Sequence, residues 1–326
     1  MENIRWGIIG CGDVTELKSG PAFNKVKNSG LHAVMRRNAD KAMDYARRHG
    51  VSRWYNDATE LIRDPAVNAV YIATPPSTHE MYTIAALKTG KPVYVEKPMS
   101  LNADSAQRMK QAAEQHAQKL VVAHYRRAQP FFQKIKQWID EGQVGDVQVM
   151  RSAILKRPLT KEELAIDKTA WRVDPNLAGG GLFHDLAPHQ LDLAIYFFGE
   201  ATGASGFAGI RGRLYAADDL VTGNILFKNG VQFSGTWSFN VAPADERDQC
   251  EIIGTRGRIV FSFFDPCPAV LYQEGKKSEH AFEVLQHVQQ PMIEKVVEHF
   301  LGNGPNPCSA EDGITVMKLI DQFTKK

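Results

Sequence analysis

The sequence predicts an α/β protein of two domains. Residues 1–124 are expected around a parallel sheet, and residues 125–326 in an α+β domain with a mostly antiparallel sheet. In the first part, short apolar runs alternate with helix-like polar segments, a rhythm typical of parallel strands covered by helices on both faces. In the second part, longer runs of alternating or β-branched residues are joined by glycine turns, as in antiparallel sheets.

The elements of the first domain follow in order along the chain. Its predicted strands are IRWGIIG, LHAVM, VNAVYIATP, PVYVEK and LVVAHY. Its predicted helices are ADKAMDYARRHG, THEMYTIAALKTG and NADSAQRMKQAAEQHAQ. Gly50 and Gly90 are placed to end the first two helices, and Asn102 or Asp104 to cap the third.

The second domain begins with a helix in AQPFFQKIKQWIDEG. Its predicted strands lie in DVQVMRSAILKR, TGNILFKNGVQFSGTWSFN and QCEIIGTRGRIVFSFF. Residues 228–230 and 254–257 are predicted hairpin turns. Two helices, near 289–302 and 309–325, close the chain, and Ser309 followed by Asp312 predicts a cap on the last one.

Charge and cysteine usage narrow the class of protein. Lys and Arg total 39 against 37 Asp and Glu, and the net charge of +2 argues against a dedicated nucleic-acid binder. The four cysteines form no C-x-x-C pair, and no run approaches the ~18 apolar residues that span a membrane. We therefore expect a cytoplasmic protein in a reducing compartment, with no membrane partner.

The first chemical motif is the glycine turn in IRWGIIGCGDVTE. Glycines after a first strand allow a tight turn and a close backbone approach to a diphosphate at the start of the next helix. The full fingerprint has Gly or Ala where this chain has Thr15, so an ordinary glycine turn is the alternative. The residues expected to bind the cofactor here are Gly10, Cys11, Gly12, Asp13 and Val14.

The end of the second strand bears on which nicotinamide cofactor is preferred. NAD-type sites place an acid about 20 residues past the glycines, at the ribose 2′-hydroxyl. This strand ends in LHAVMRRN, with Arg36 and Arg37 and no acid. Because a guanidinium suits a 2′-phosphate, we expect NADP to be preferred, with NAD possible. Two arginines on a solvated edge are the alternative.

Further candidates follow the third and fourth predicted strands. Ligands of parallel sheets bind beyond the carboxyl ends of strands, and PVYVEKP places Lys97 there. Its ammonium could bind or polarise a substrate oxygen, although a solvated lysine is the commoner case. The residues expected to bind the cofactor at these strand ends are Thr74, Pro75, His79, Glu96 and Lys97. His79 taken alone would rather be a helix-start residue.

The stretch GGGLFHDLAPHQLD concentrates polar groups ahead of an apolar helix. Asp185 and His189 are four apart and so share a helix face, while Pro188 requires the helix to start near Asp185 or to kink there. A capped helix with a buried histidine is one alternative. A metal site of His184, Asp185, His189 and Asp192 is another, disfavoured because its histidines are five apart rather than four.

Three aromatic or basic residues are candidates for binding substrate. Trp171 could stack on a sugar face, or could equally be a core residue, and Arg172 could hydrogen-bond hydroxyl groups. Tyr125, followed by Arg126, comes after the last strand of the first domain. These two could contact substrate or could stabilise the domain junction.

Together GIIGCG, ATPPSTH, VEKP and GGGLFHDLAPHQLD resemble the Gfo/Idh/MocA oxidoreductases over essentially the whole chain. The resemblance implies an N-terminal Rossmann dinucleotide-binding domain and a C-terminal domain with an open-faced sheet. It implies hydride transfer between NAD(P) and a hydroxyl or carbonyl carbon, usually of a sugar or cyclic polyol. The family's catalytic residues fall on Lys97, Asp185 and His189. Thr15 departs from the pattern, and His184 is additional to it, so it receives no role.

An NADP-preferring oxidoreductase of sugars or polyols is therefore expected, with no metal. His189 would exchange the hydroxyl proton, because an unperturbed imidazole titrates near 6.5. The alternatives are a non-catalytic nucleotide sensor and a dehydrogenase of non-sugar substrates such as dihydrodiols or imines. An open sheet face needs covering by another subunit, so a homodimer or homotetramer is expected, with VQFSGTWSF and RIVFSFF as candidates for that open face.

Overall fold

A computed structural model describes residues 2–324. Residues 1, 325 and 326 lie outside it, including the predicted last residue of the final helix and the outer ends of both predicted domains. The strands, numbered in chain order, are β1 (Ile4–Ile9), β2 (Ser29–Met35), β3 (Arg53–Tyr55), β4 (Ala69–Ile72), β5 (Val93–Val95), β6 (Leu120–Val122), β7 (Val147–Leu155), β8 (Ala201–Gly209), β9 (Leu220–Phe227), β10 (Gln232–Ser238), β11 (Arg247–Gly254), β12 (Gly257–Phe261), β13 (Ala269–Gln273) and β14 (Lys276–His280).

The α-helices are numbered in the same way. They are α1 (Asp13–Leu17), α2 (Ala39–His49), α3 (Ala58–Arg63), α4 (His79–Lys88), α5 (Ala103–Gln115), α6 (Pro130–Asp140), α7 (Lys161–Leu164), α8 (Asp167–Ala170), α9 (Pro175–Ala178), α10 (Gly181–Phe198), α11 (Gln290–Leu301) and α12 (Ala310–Thr324). Gly50 ends α2 in a left-handed conformation, and Asn102 caps α5 by accepting from the Ser105 N–H, both as predicted.

The first compact unit contains Met1–Gln129 and Leu285–Met317. Its sheet has the order β3-β2-β1-β4-β5-β6, and every pair of neighbours is parallel. The residues of β4, β5 and β6 are all buried, which is the burial that continuous apolar runs predict. The Rossmann-type fold class is confirmed.

The limits of the first unit differ from the expected boundary at residue 124. Residues 285–317 were expected in the second domain, yet they pack on the first sheet. The Trp6 and Phe300 rings lie 5.6 Å apart, and the Val122 N–H donates to the Cys308 carbonyl at 3.1 Å. These apolar and backbone contacts assign residues 285–317 to the first unit. No local sequence pattern encodes such contacts.

The second compact unit contains Pro130–Val284 and Lys318–Lys326. Its sheet has the order β14-β13-β12-β11-β7-β10-β9-β8. All neighbours are antiparallel except β7 and β10, which are parallel. The mostly antiparallel prediction is thus confirmed, with one parallel pair at the centre of the sheet. Gly230, at φ +88°, turns the predicted hairpin between β9 and β10.

One face of this sheet is covered by helices of the same unit. Phe233 and Trp237 of β10 are buried, and Trp237 contacts the rings of Phe183 and Phe323. The large side chains of VQFSGTWSF and RIVFSFF lie on this covered face. Those two segments were expected on the open face, which instead exposes residues such as Phe207. Successive side chains of a strand point to opposite faces of the sheet. The periodicity of the sequence does not reveal which of the two faces the helices cover.

No helix among residues 2–324 is long and apolar enough to cross a membrane. Cys11, Cys250 and Cys308 are buried thiols, and Cys267 is an exposed one.

Candidate functional site

The turn after β1 brings the first glycine against the loop after β4. Gly10 has φ +94°, a conformation that favours glycine. A Cβ on Gly10 would lie 2.7 Å from Thr74 Cγ2 and 2.9 Å from the Thr74 nitrogen. Its N–H and that of Cys11 donate to the Met35 carbonyl at the end of β2. Two strand ends and one loop therefore fix this turn, and no side chain fits at Gly10.

The second glycine borders open space. A Cβ on Gly12 would meet only the Gly10 carbonyl oxygen, at 3.8 Å. Thr15, which departs from the fingerprint, is wholly buried, and its hydroxyl donates to the Gly12 carbonyl at 2.8 Å. The threonine therefore holds the turn from inside. Of the other residues predicted here, Asp13 is exposed and Val14 half-buried, while the Cys11 side chain is buried, where burial raises the pKa of its thiol to about 12.

The two arginines at the end of β2 differ in their attachment. Arg36 is half-buried, and its Nη1 donates to the Cys11 carbonyl at 3.3 Å. Arg37 is exposed. The structure thus joins Arg36 to the glycine turn, and Arg37 follows it at the same strand end.

His79 was predicted to bind cofactor, and the structure places it in the interior instead. Its ring is wholly buried, with Nε2 2.7 Å from the Thr74 carbonyl and Nδ1 3.0 Å from the Pro98 carbonyl. Burial lowers the pKa of His79 from 6.5 to about 4, so the ring is neutral near pH 7. Its contacts join the loop after β4, where Thr74 and Pro75 are half-buried, to the turn after β5.

Glu96, also predicted as a cofactor ligand, faces the interior. Its side chain is buried, and its Oε1 accepts from the Tyr71 hydroxyl at 2.5 Å and from Gln289 Nε2 at 2.6 Å. Its Oε2 accepts from the Lys97 backbone N–H at 3.2 Å. Lys97 itself is half-buried at the end of β5 and precedes a cis peptide bond to Pro98.

In the second unit, α10 carries both residues of the Asp-His pair. The helix begins at Gly181 and contains Pro188 in its interior, so of the two predicted alternatives the start near Asp185 is wrong. Gly181 has φ +74°, and a Cβ there would lie 2.7 Å from the Ala217 Cβ. No side chain therefore fits at Gly181, where the chain enters the helix. Asp185 and His189 still lie on one face, four residues apart.

Each member of the pair has a neighbour in the same unit. Asp185 Oδ2 accepts from Arg172 Nε at 3.2 Å, and both side chains are about a quarter exposed, at 23% and 26%. His189 is 4% exposed, and its ring lies edge-on to Phe264 with centroids 5.6 Å apart. The arrangement holds an acid and an imidazole in fixed positions on a single helix face.

His184 is explained by packing. Its ring is wholly buried, with Nδ1 3.1 Å from the Gly180 carbonyl, and a Cβ on Gly180 would lie 2.2 Å from its Cε1. The histidine therefore anchors the glycine segment that leads into α10. Asp192 is likewise buried, at 1% exposure. Across residues 2–324, no group of three His, Cys, Asp or Glu side chains is arranged to hold a metal ion.

The proposed substrate contacts fall in two places. Trp171 is half-buried, and the Arg172 guanidinium lies over its ring, 4.7 Å from the centroid. Arg172 also donates to the Lys168 carbonyl. Tyr125 belongs to the first unit, is buried, and carries the Arg126 guanidinium 5.6 Å from its ring centroid.

Comparison with known proteins assigns the family. The model described as "Oxidoreductase family, NAD-binding Rossmann fold" matches residues 4–124, and that of the GFO/IDH/MocA C-terminal domain matches residues 132–260. Oxidoreductase P35 of Formosa agariphila is 46% identical over 320 residues, 98% of either chain. The chain belongs to the Gfo/Idh/MocA oxidoreductases.

Other relatives of this oxidoreductase are more distant. The myo-inositol 2-dehydrogenase of Thermotoga maritima is 27% identical over 327 residues, which cover 97% of this chain and 94% of the relative. A levoglucosan dehydrogenase, solved in complex with NADH and levoglucosan, has a TM-score of 0.87 at 22% identity, and the match covers 98% and 96% of the two chains. That likeness shows the fold.

The residues of the first unit fit a dinucleotide of this oxidoreductase family. Gly10 leaves no room for a side chain, Gly12 borders open space, and Arg36 is attached to the turn. Sequence reasoning missed two residues around the site, Gln289 and Phe264. Gln289 stands at a helix start and Phe264 in an aromatic run, so neither carried a local signal of function.

Proposed function

We propose that this oxidoreductase transfers hydride between a nicotinamide dinucleotide and a CH–OH or carbonyl carbon of a sugar or cyclic polyol. The observation that carries the proposal is the glycine turn at Gly10 and Gly12, in a chain of an NAD-binding oxidoreductase family. The name of the myo-inositol 2-dehydrogenase supports the substrate class. The bound cofactor would supply the hydride acceptor or donor, and the chain's own residues would hold the substrate and move its proton.

The three catalytic roles are proposed from the chemistry of each residue. The ammonium of Lys97 would bind the reacting oxygen and favour its anionic character. The imidazole of His189 would take or return the hydroxyl proton. The carboxylate of Asp185, fixed by Arg172, would hydrogen-bond the substrate or orient the imidazole, and Trp171 would stack on a sugar ring. Tyr125 is a further proposed substrate contact.

The test of these roles is steady-state kinetics on a panel containing myo-inositol, levoglucosan, glucose and trans-1,2-dihydrobenzene-1,2-diol, with NAD⁺ and NADP⁺. Lys97→Met and His189→Ala should each lower kcat by ~10²-fold or more, since stabilisation of a developing oxyanion is worth about 10²–10³-fold and general acid–base catalysis about 10²–10⁴-fold. Lys88→Met, on an exposed position of α4, is the matched control and should keep wild-type turnover. Wild-type kcat in Lys97→Met or His189→Ala would remove that residue's role.

The panel also separates the alternatives. Binding of cofactor without turnover of any member would favour the non-catalytic sensor. Turnover of trans-1,2-dihydrobenzene-1,2-diol in preference to the sugars would favour a dehydrogenase of non-sugar substrates.

A preference for NADP over NAD is a separate proposal. Arg36, attached to the Cys11 carbonyl, and the exposed Arg37 would bind a 2′-phosphate. Hydrogen bonds to charged groups are worth about 1.5–3 kcal/mol, so each Ala variant should weaken NADPH by ~10- to 10²-fold and leave NADH unchanged. Arg47→Ala, whose side chain is 80% exposed on α2, is the control. Calorimetric titration showing tighter NADH than NADPH binding in the wild type would refute the preference.

Self-association is proposed for the open face of the second sheet. Leu226, Gln232, Val149 and Ile253 lie side by side there on successive paired strands, and Leu226 is 46% exposed. A homodimer or homotetramer would cover this face. Light scattering should give a multiple of the 36.3 kDa chain mass, reduced in Leu226→Lys. A wild-type monomer at working concentration would contradict the proposal.

A further inference from the structure

A buried hydrogen-bond network surrounds the end of β5. The Glu96 carboxylate accepts from Tyr71 and Gln289 on one oxygen and from the Lys97 backbone N–H on the other. The Gln289 amide is fixed at both ends, because its Oε1 accepts from the Tyr94 hydroxyl at 3.1 Å. Tyr71, Tyr94 and Gln289 are wholly buried. A buried carboxylate needs such donors, so the network holds a single arrangement.

The network reaches the helix that follows the glycine turn. The Gln289 backbone N–H donates to the Lys18 carbonyl at 3.1 Å, and His287 Nδ1 lies 2.6 Å from the Leu17 carbonyl. The Tyr71 hydroxyl also lies 3.1 Å from the hydroxyl of buried Ser19. One short segment, residues 287–289, thus joins the C-terminal end of α1 to the strand end that carries Lys97.

Buried polar side chains flank the Lys97 backbone on both sides. On the N-terminal side, the Glu96 carboxylate accepts from the Lys97 N–H. On the C-terminal side, the Pro98 carbonyl lies 3.0 Å from His79 Nδ1, which donates to it in the tautomer protonated at that nitrogen. Both groups are buried side chains of the same unit. The lysine backbone therefore has little freedom to move, while its side chain extends from a half-buried position.

We propose that Glu96 and Gln289 are positioning residues that fix Lys97 and link its placement to the helix after the glycine turn. The catalytic part of this inference rests on the proposed role of Lys97. It assigns to the returning segment 285–317 a part in the reaction that its place in the sequence does not suggest. Neither residue touches substrate in this scheme, because both side chains are enclosed in the interior of the unit.

The direct test is hydrogen exchange at the Lys97 amide in the free protein, which needs no substrate. Gln289→Met fills a similar volume without a donor. Glu96→Met removes both carboxylate oxygens, including the one that accepts from the Lys97 N–H. Both variants should speed exchange at Lys97 by ~10-fold or more. In the Glu96 variant the Lys97 N–H loses its acceptor, and in the Gln289 variant the Glu96 carboxylate loses a hydrogen-bond donor that holds it. Gln290→Leu, on a neighbouring side chain that bonds only its helix neighbour Glu294, should leave exchange unchanged.

Kinetics on the sugar panel test the catalytic part. In Gln289→Met we expect kcat to fall ~10- to 10²-fold while KM and cofactor Kd stay within about threefold, because a lysine displaced by about 1 Å loses rate rather than binding. A purely structural role would lower the melting temperature and leave kcat of the folded protein unchanged.

The outcomes separate this inference from the proposed function. Unchanged exchange at Lys97 in both variants overturns the positioning role, whatever the kinetics. Faster exchange with wild-type kcat in Gln289→Met, while Lys97→Met is inactive, overturns it as well and leaves the proposed function standing. Wild-type turnover in Lys97→Met removes the proposed role of Lys97 and, with it, the catalytic part of the inference, while the exchange result still decides whether the network fixes the backbone.

Discussion

Replacing Gly10 by alanine should destabilise the protein through two effects that the structure separates. A left-handed conformation costs a residue with a Cβ about 1–2 kcal/mol, and Gly10 sits at φ +94°. The new Cβ would also lie 2.9 Å from the Ala73 carbonyl carbon and the Thr74 nitrogen, backbone atoms that cannot rotate away. Overpacking of this kind costs about 1–3 kcal/mol. We expect a total loss of about 2–5 kcal/mol.

Two other glycines provide matched controls for this variant. Gly50 has φ +64° with nothing within 4 Å of its Cβ position, so Gly50→Ala carries the strain without the clash. Gly12 has φ −124°, and its nearest atom lies at 3.8 Å, so Gly12→Ala carries neither. We expect a loss of about 1–2 kcal/mol for Gly50→Ala and a change within about 1 kcal/mol for Gly12→Ala.

The assay is urea denaturation of the three variants beside titration with NADPH and NADH. Gly12→Ala should bind cofactor at least ~10-fold more weakly despite its normal stability, because its methyl group occupies the space where a diphosphate approaches the backbone. Equal losses of stability in Gly10→Ala and Gly50→Ala would refute the clash. Wild-type cofactor affinity in Gly12→Ala would refute the assignment of the turn to the diphosphate.

Three further expectations concern charge. Arg172→Lys loses the Nε contact with Asp185 and the stacking on Trp171. It should lower stability by about 1–2 kcal/mol in thermal denaturation and should reduce kcat/KM. An unchanged kcat/KM would contradict the role of the Arg172–Asp185 pair. Because burial lowers the pKa of His79 from 6.5 to about 4, its contribution to stability is present above pH 6.5 and is lost as the pH falls to 4. The stability advantage of the wild type over His79→Gln should therefore narrow by up to about 3 kcal/mol over that range, and a pH-independent difference would speak against a neutral buried ring. Hydrogen bonds from Arg48 lower the pKa of Glu16 to about 2. The stability advantage of the wild type over Glu16→Gln should therefore be full above pH 4.5 and shrink below it, which urea titrations at pH 5 and pH 3 would measure. An advantage of the same size at both pH values would contradict the ion pair.

The family motifs were readable from the sequence because each is local. The glycine turn lies within one strand–turn–helix unit, and Asp185 and His189 lie within one helix. Alternation of apolar runs and helices was enough to predict that the strands of the first sheet are parallel. The start of the last of these helices was less accurate, because α10 begins at Gly181, four residues before Asp185.

The sequence by itself determined the two-domain α/β class, the glycine turn, the pair of arginines and the helix face of Asp185 and His189, because contacts between near neighbours specify all of these. Only the tertiary structure decided that Glu96 and His79 face the interior and that Gln289 lies beside Glu96. A side chain at a strand end can point either way, and burial against distant segments makes the choice. Gln289 is 193 positions from Glu96, and the packing of the returning chain against β1 and β5 brings them together.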